Sequence, residues 1–137
     1  MMFRRGATVL GLALLGWALC DATVVVGMSL TSLNNALVIH AILAPVYFAS
    51  ISLLYFLRFN YTSPLVTALA FIALVVAMDF FVVALLINRS LAMFASPLGA
   101  WIPFGSIFAS TLLVGIYLRR GLRTARVQRS RIPSSWT

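Results

Sequence analysis

The sequence predicts an all-α membrane protein: an antiparallel bundle of four transmembrane helices with both termini on the cytoplasmic side. Three observations carry this expectation. Hydrophobic residues make up 63% of the 137-residue chain and charged residues only 9%, whereas a soluble domain carries about 25% charge to cover its surface. Four apolar runs approach the length of about 20 residues that a bilayer core requires. Arginine is distributed unevenly at the flanks of those runs, as a topology signal would be. A chain of this length forms one unit.

The first run extends from about 7 to 28, behind Arg4 and Arg5. A cleaved signal peptide is the rival reading, but its apolar region is only about 7–15 residues long and ends in an A-x-A-like site, which this run lacks. Trp17-Ala18-Leu19 before Cys20 also puts a bulky Leu where lipoprotein processing disfavours one. The segment is therefore expected to be a span. Cys20, the sole cysteine, excludes an intrachain disulfide and reads as an inert apolar residue within the helix.

The second run covers about 35–57 and stops at Arg58, with Pro45 expected to free a carbonyl and bend the helix. The third covers 64–87: Ser63 suits a cap, Pro64 the first turn, and Asn88-Arg89 the end. The fourth covers about 102–118, from Ile102-Pro103 to Leu118. Between the last two, Ser90 is expected to start a short helix on the outer interface that Ser96-Pro97 ends. The links at 29–34 and 58–63 are short, which predicts that sequential helices pack as antiparallel neighbours.

Charge then sets direction. All ten basic residues are arginine. With the N-terminus inside, the cytoplasmic side holds Arg4, Arg5, Arg58 and the tail residues Arg119, Arg120, Arg123, Arg126, Arg129 and Arg131, against Arg89 alone outside. The expected location is the inner (plasma) membrane. The 119–137 tail is read as a basic cytoplasmic segment contacting anionic lipid, at about 1 kcal/mol per Arg. A nucleic-acid partner is not expected, because these charges flank spans and do not cover a folded face. Tyr55, Phe56, Phe59 and Tyr61, Tyr117 and Trp101 are placed near span ends, where amphipathic rings prefer the headgroup level.

Asp21, His40 and Asp79 are the only acidic or histidine side chains within the spans. At a rise of about 1.5 Å per residue, they lie about 21, 25 and 21 Å from the cytoplasmic edge. In a core of about 30 Å, that is one layer of the outer half. An unpaired charge facing lipid costs about 2.5–3.5 kcal/mol, so the three are expected to turn into the bundle and toward one another. Such a set can exchange a proton, bind a cation or amine, or serve only as interhelical glue. Trp17 shares a side with Asp21, and Tyr47 with His40. Asp79 needs a partner from another helix or from water. Ser106 and Ser110 share one side of the fourth span; the blander reading of each is a bond to its own backbone. Arg89 is about 15 Å beyond Asp79 on a straight helix and reaches the layer only if 88–101 folds back. Ala18/Ala22 and Gly105/Ala109 have the spacing of close helix contacts, within the bundle or with another subunit.

No phosphate loop, nucleophile elbow, zinc motif or haem-attachment motif is present, and without Lys or Glu most acid–base arrangements are missing. The chain is not expected to be an enzyme or to hold a metal or cofactor. The favoured expectation is a non-catalytic accessory subunit or assembly component of a membrane complex, partnered by lipid and by other subunits or itself. The alternative is a small proton-linked transporter or small-ligand carrier using Asp21, His40 and Asp79.

Overall fold

The computed structural model describes residues 2–130, all of whose regular structure is helical. In chain order these are α1 (Met2–Leu30), α2 (Leu33–Arg58), α3 (Pro64–Met78), a π-helix (Asp79–Ile87) that continues α3, α4 (Ala92–Ala95), a π-turn (Pro97–Trp101) and α5 (Ile102–Ser130). Four stretches are long and apolar enough to cross a membrane: Phe3–Leu30, Leu33–Arg58, Pro64–Ile87 and Pro97–Ser130.

Local chemistry sets the helix starts. Ser32 accepts from the Asn35 N–H and Ser63 from the Val66 N–H, with Pro64 in the first turn, where its missing N–H costs nothing. Ser96-Pro97 works the same way: Ser96 Oγ accepts from the Gly99 N–H, so this pair opens the last helical stretch as well as closing α4. Ser90 Oγ accepts from the Ala92 N–H at the short helix expected there. Pro45 lies inside a continuous α2.

Helix α1 packs on α2 and α3, and α5 packs on the same two, closing a ring in the order α1–α2–α5–α3. The expectation that α2 and α3 are neighbours because their link is short does not hold. They face each other across the ring, and Phe71 of α3 fills the middle against Phe48 and Tyr55 of α2 (ring centroids 5.7 and 6.4 Å apart). A five-residue link suffices to cross that diagonal. Close approach around the ring uses small residues: a Cβ on Gly16 would lie 2.6 Å from Phe48, and one on Gly115 would lie 2.7 Å from Phe56 and Pro64. Ala18, Ala22, Gly105 and Ala109 are instead exposed on the outside of the bundle.

One end of the bundle is tied by polar contacts. The Arg5 guanidinium sits 5.4 Å from the centre of the Tyr61 ring, and Arg119 donates to the Thr62 carbonyl (2.9 Å). Tyr55 and Thr62 share a hydroxyl hydrogen bond (2.8 Å), as do Thr62 and Thr67 (2.7 Å). Tyr55 and Phe56 are therefore core residues, at 0% and 2% exposure, and not the interfacial rings their position suggested. Tyr117 and Trp101 are exposed, as such rings require. Beyond Leu118, where the apolar span ends, α5 runs on without a break to Ser130 and carries Arg120, Arg123, Arg126 and Arg129 exposed along it. Arg131 lies outside the described residues.

Candidate functional site: a cavity between the helices

At the end opposite the arginines, the ring opens. Helix α1 packs on α3, whereas the π-helix that continues α3 makes no comparable backbone contact with α1, α2 or α5. The gap becomes a cavity of about 670 Å³. Asp21 of α1, His40 of α2 and Asp79, where α3 becomes the π-helix, all line it. Each is half-buried; none is turned fully outward.

Helical geometry explains the convergence. On α1 the lining residues Trp17, Cys20, Asp21, Val24 and Met28 recur every three or four positions, which is one face. On the third span they are Val75, Asp79, Val83 and Ile87, spaced by four. In an α-helix of 3.6 residues per turn, steps of four drift steadily around the axis. Hydrogen bonds to the fifth residue widen the turn, so Asp79, Val83 and Ile87 stay closer to one line. Switching register at Asp79 thus keeps the cavity wall on one face. Such π segments occur often at functional sites. The π-helix ends at Arg89, whose left-handed φ of 49° lets the Ser90 N–H return to the Ala84 carbonyl (2.9 Å).

Asp79 has a partner from another helix. The Trp17 indole N–H donates to Asp79 Oδ1 at 2.8 Å, bonding α1 to the third span. Oδ2 has no protein donor among the described residues, and neither does the Asp21 carboxylate. The Cys20 backbone carbonyl lies beside the His40 imidazole, but His40 Nδ1 is buried without a hydrogen-bond partner. No direct hydrogen bond or ion pair joins the three residues among those described. They line one cavity, as expected of groups turned into the bundle, with no hydrogen bond or ion pair between them. Among the described residues no three His, Cys, Asp or Glu side chains gather closely enough for a metal ion.

The segment after the π-helix folds back over this end, and Asn88, Ser90, Met93, Ser96 and Gly99 line the cavity. Arg89 does not follow its neighbours: it is exposed and terminates the helix. The other supporting candidates lie elsewhere. Tyr47 shares a hydroxyl hydrogen bond with Thr23 (3.0 Å), joining α2 to α1. Ser106 and Ser110 donate to the Pro103 and Ile107 carbonyls of their own helix. From α5 the cavity receives only Pro103, Phe104 and Ile107. Trp17 is the residue that sequence reasoning placed beside Asp21 but did not pair with Asp79. The single indole of Trp17, one turn before Asp21, and the carboxylate of Asp79 on a facing span would have been the signal, had the helix rotations been known.

Chemically, the wall offers two carboxylates and an imidazole with unused hydrogen-bonding capacity, set among apolar side chains. Of the lining residues, Val25, Met28, Leu33 and Ile87 are more than half exposed, and Asn88, Ser90 and Ala92 are exposed beside them, so the cavity is open at this end of the bundle. The class defined by fold and site is a four-helix, membrane-type bundle with an open, carboxylate-lined cavity. No protein-family model, curated protein or solved structure matches the chain.

Proposed function

We propose that this protein is a small multi-pass carrier of the inner membrane that binds a small ligand in its cavity in exchange for protons. One observation carries the reading: Asp21, His40 and Asp79, drawn from three helices, line a single cavity of about 670 Å³. Ligand sites typically occupy about 300–1,000 Å³. Protein interiors are otherwise close-packed, with few voids larger than a water molecule. The titratable groups facing the space are Cys20 and Asp21 from α1, His40 from α2 and Asp79 from the third span; α5 and 88–101 contribute none. Glue alone would need only the Trp17–Asp79 bond and leaves Asp21 and the unpartnered His40 nitrogen without a role.

The same proposal includes an up-and-down antiparallel bundle with both termini cytoplasmic. It is supported by the meeting of Arg5, the 59–63 link and Arg119 at one end, and by nine arginines on that side against one. Exposed Arg120, Arg123, Arg126 and Arg129 are then available to anionic lipid, while Arg119 is engaged with Thr62.

A second reading, an accessory subunit of a membrane complex or of a homo-oligomer, is favoured by Ala18, Ala22, Gly105 and Ala109. These small residues lie exposed on the outside, where a neighbouring helix can approach closely. The two readings separate in proteoliposomes on a solid-supported electrode, given a panel of small amines, acids and neutral solutes under a pH gradient. A carrier gives gradient-dependent currents with some members, and Asp79→Asn abolishes them while assembling normally. Silence across the panel, together with stoichiometric recovery in a larger complex, would sink the carrier in favour of the subunit.

A further inference from the structure

We propose that the ligand is a lipophilic organic cation, an apolar body bearing one ammonium-type charge, that enters sideways from the bilayer between α1 and the π-helix. This deepens the carrier reading and rests on it.

Charge on the cavity wall comes first. Its ionisable side chains are two carboxylates, a thiol and an imidazole, and no arginine lines it. Arg89, the basic residue nearest in sequence, is exposed beyond the helix end. An anionic ligand would therefore meet Asp21 and Asp79 with no fixed positive charge to offset them. A cation finds Asp79 Oδ2 and the Asp21 carboxylate both without protein donors. The Trp17 indole holds Asp79 by its other oxygen, which aims the carboxylate without neutralising it.

The apolar part follows from the rest of the wall. Val24, Val75, Val83, Met93, Phe104 and Ile107 face the cavity, and none can replace the hydration shell of a small inorganic ion. The described residues also hold no cluster that could coordinate a metal. At about 30 Å³ per water, the space would take roughly twenty waters. Surrounding an inorganic ion with so much water against valine and isoleucine is unfavourable, whereas a hydrophobic body satisfies those walls directly. The mouth agrees. Its exposed residues on α1 and the π-helix, Val25, Met28 and Ile87, are apolar, whereas the polar exposed residues Asn88 and Ser90 lie beyond the helix end; an amphiphile dissolved in lipid meets the apolar side.

The test uses the full-length protein in a mild maltoside detergent, with retention of tritiated tetraphenylphosphonium as the readout. Octylammonium, octanol and octanoate serve as competitors that share one apolar body and differ only in charge. The proposal expects saturable retention that octylammonium displaces and octanol and octanoate do not. Asp79→Asn should weaken it by about tenfold or more, and Asp21→Asn measurably, with size-exclusion profile and helix content unchanged. The asparagine isostere still accepts the Trp17 N–H, so the bundle is expected to survive it. Equal displacement by octanol or octanoate overturns the cation assignment and leaves a ligand cavity standing. So does unchanged retention in both variants. No saturable binding of tetraphenylphosphonium or of labelled octanol, by protein that elutes as folded, removes both the assignment and the binding cavity on which it rests.

Discussion

At Asp79 a single oxygen is committed to the chain and the other is left to the cavity, so the Trp17 N–H fixes how the carboxylate faces. Interhelical hydrogen bonds in membranes average about 0.6 kcal/mol and reach about 1.7. Trp17→Phe, which keeps an aromatic side chain but deletes the donor and the second ring of the indole, is expected to cost about 1 kcal/mol or more in a mixed-micelle unfolding titration. Ser106→Ala and Ser110→Ala should fall within about 0.5 kcal/mol of wild type, because each hydroxyl bonds only its own helix. A loss from Ser106→Ala equal to that from Trp17→Phe would contradict this ordering. How much of the site was legible follows from the same residues. Which side chains belonged in the cavity could be read from the cost of burying Asp21, His40 and Asp79 in lipid. Which atom bonds which could not. Partner choice depends on the rotation of one helix against another, and no pattern within a single span encodes it. Tyr47 shows the consequence: it shares a side with His40 yet bonds Thr23 of α1.

Elements differ in how much of their behaviour is local. Ser63-Pro64 and Ser90 were readable because a cap needs only residues a few positions away. The change of register at Asp79 was not: whether a carbonyl bonds the fourth or the fifth residue onward is decided by packing, here with the Phe80 ring against Phe94 (centroids 6.1 Å apart). Glycine offers a second contrast. Gly115→Ala brings a Cβ to 2.7 Å from Phe56 and Pro64 and should destabilise by about 1–3 kcal/mol through overpacking. Nothing lies within 4 Å of a Cβ on Gly105. Gly105→Ala should leave monomer stability unchanged or slightly raised, and a shift in oligomeric state would identify that face as an interface.

For the molecule as a whole, fold class was legible and ring order was not. Composition and four apolar runs suffice for a membrane helix bundle. Short links constrain only the distance between helix ends, and Phe59 to Ser63 can cross a diagonal as readily as a side. Orientation gives the prediction at this scale. Fluorescent-protein fusions at either terminus should light up in the cytoplasm, and a phosphatase fusion should be active only when inserted near Leu91 or Leu30. An active phosphatase at the C-terminus would reverse the topology.

The two ends of the bundle are also fastened unequally. Arg5 on Tyr61, Arg119 on Thr62 and the Tyr55–Thr62–Thr67 hydroxyls pin one end. At the other, Leu86, Ile87 and Leu91 are more than half exposed, and the π-helix is held by the Trp17–Asp79 bond and the Phe80–Phe94 contact. Regions with few buried contacts open at the lowest free energy. On the carrier reading, the bundle would work like a clothes-peg, sprung at its arginine end, with jaws that part around a guest without unseating the helices below.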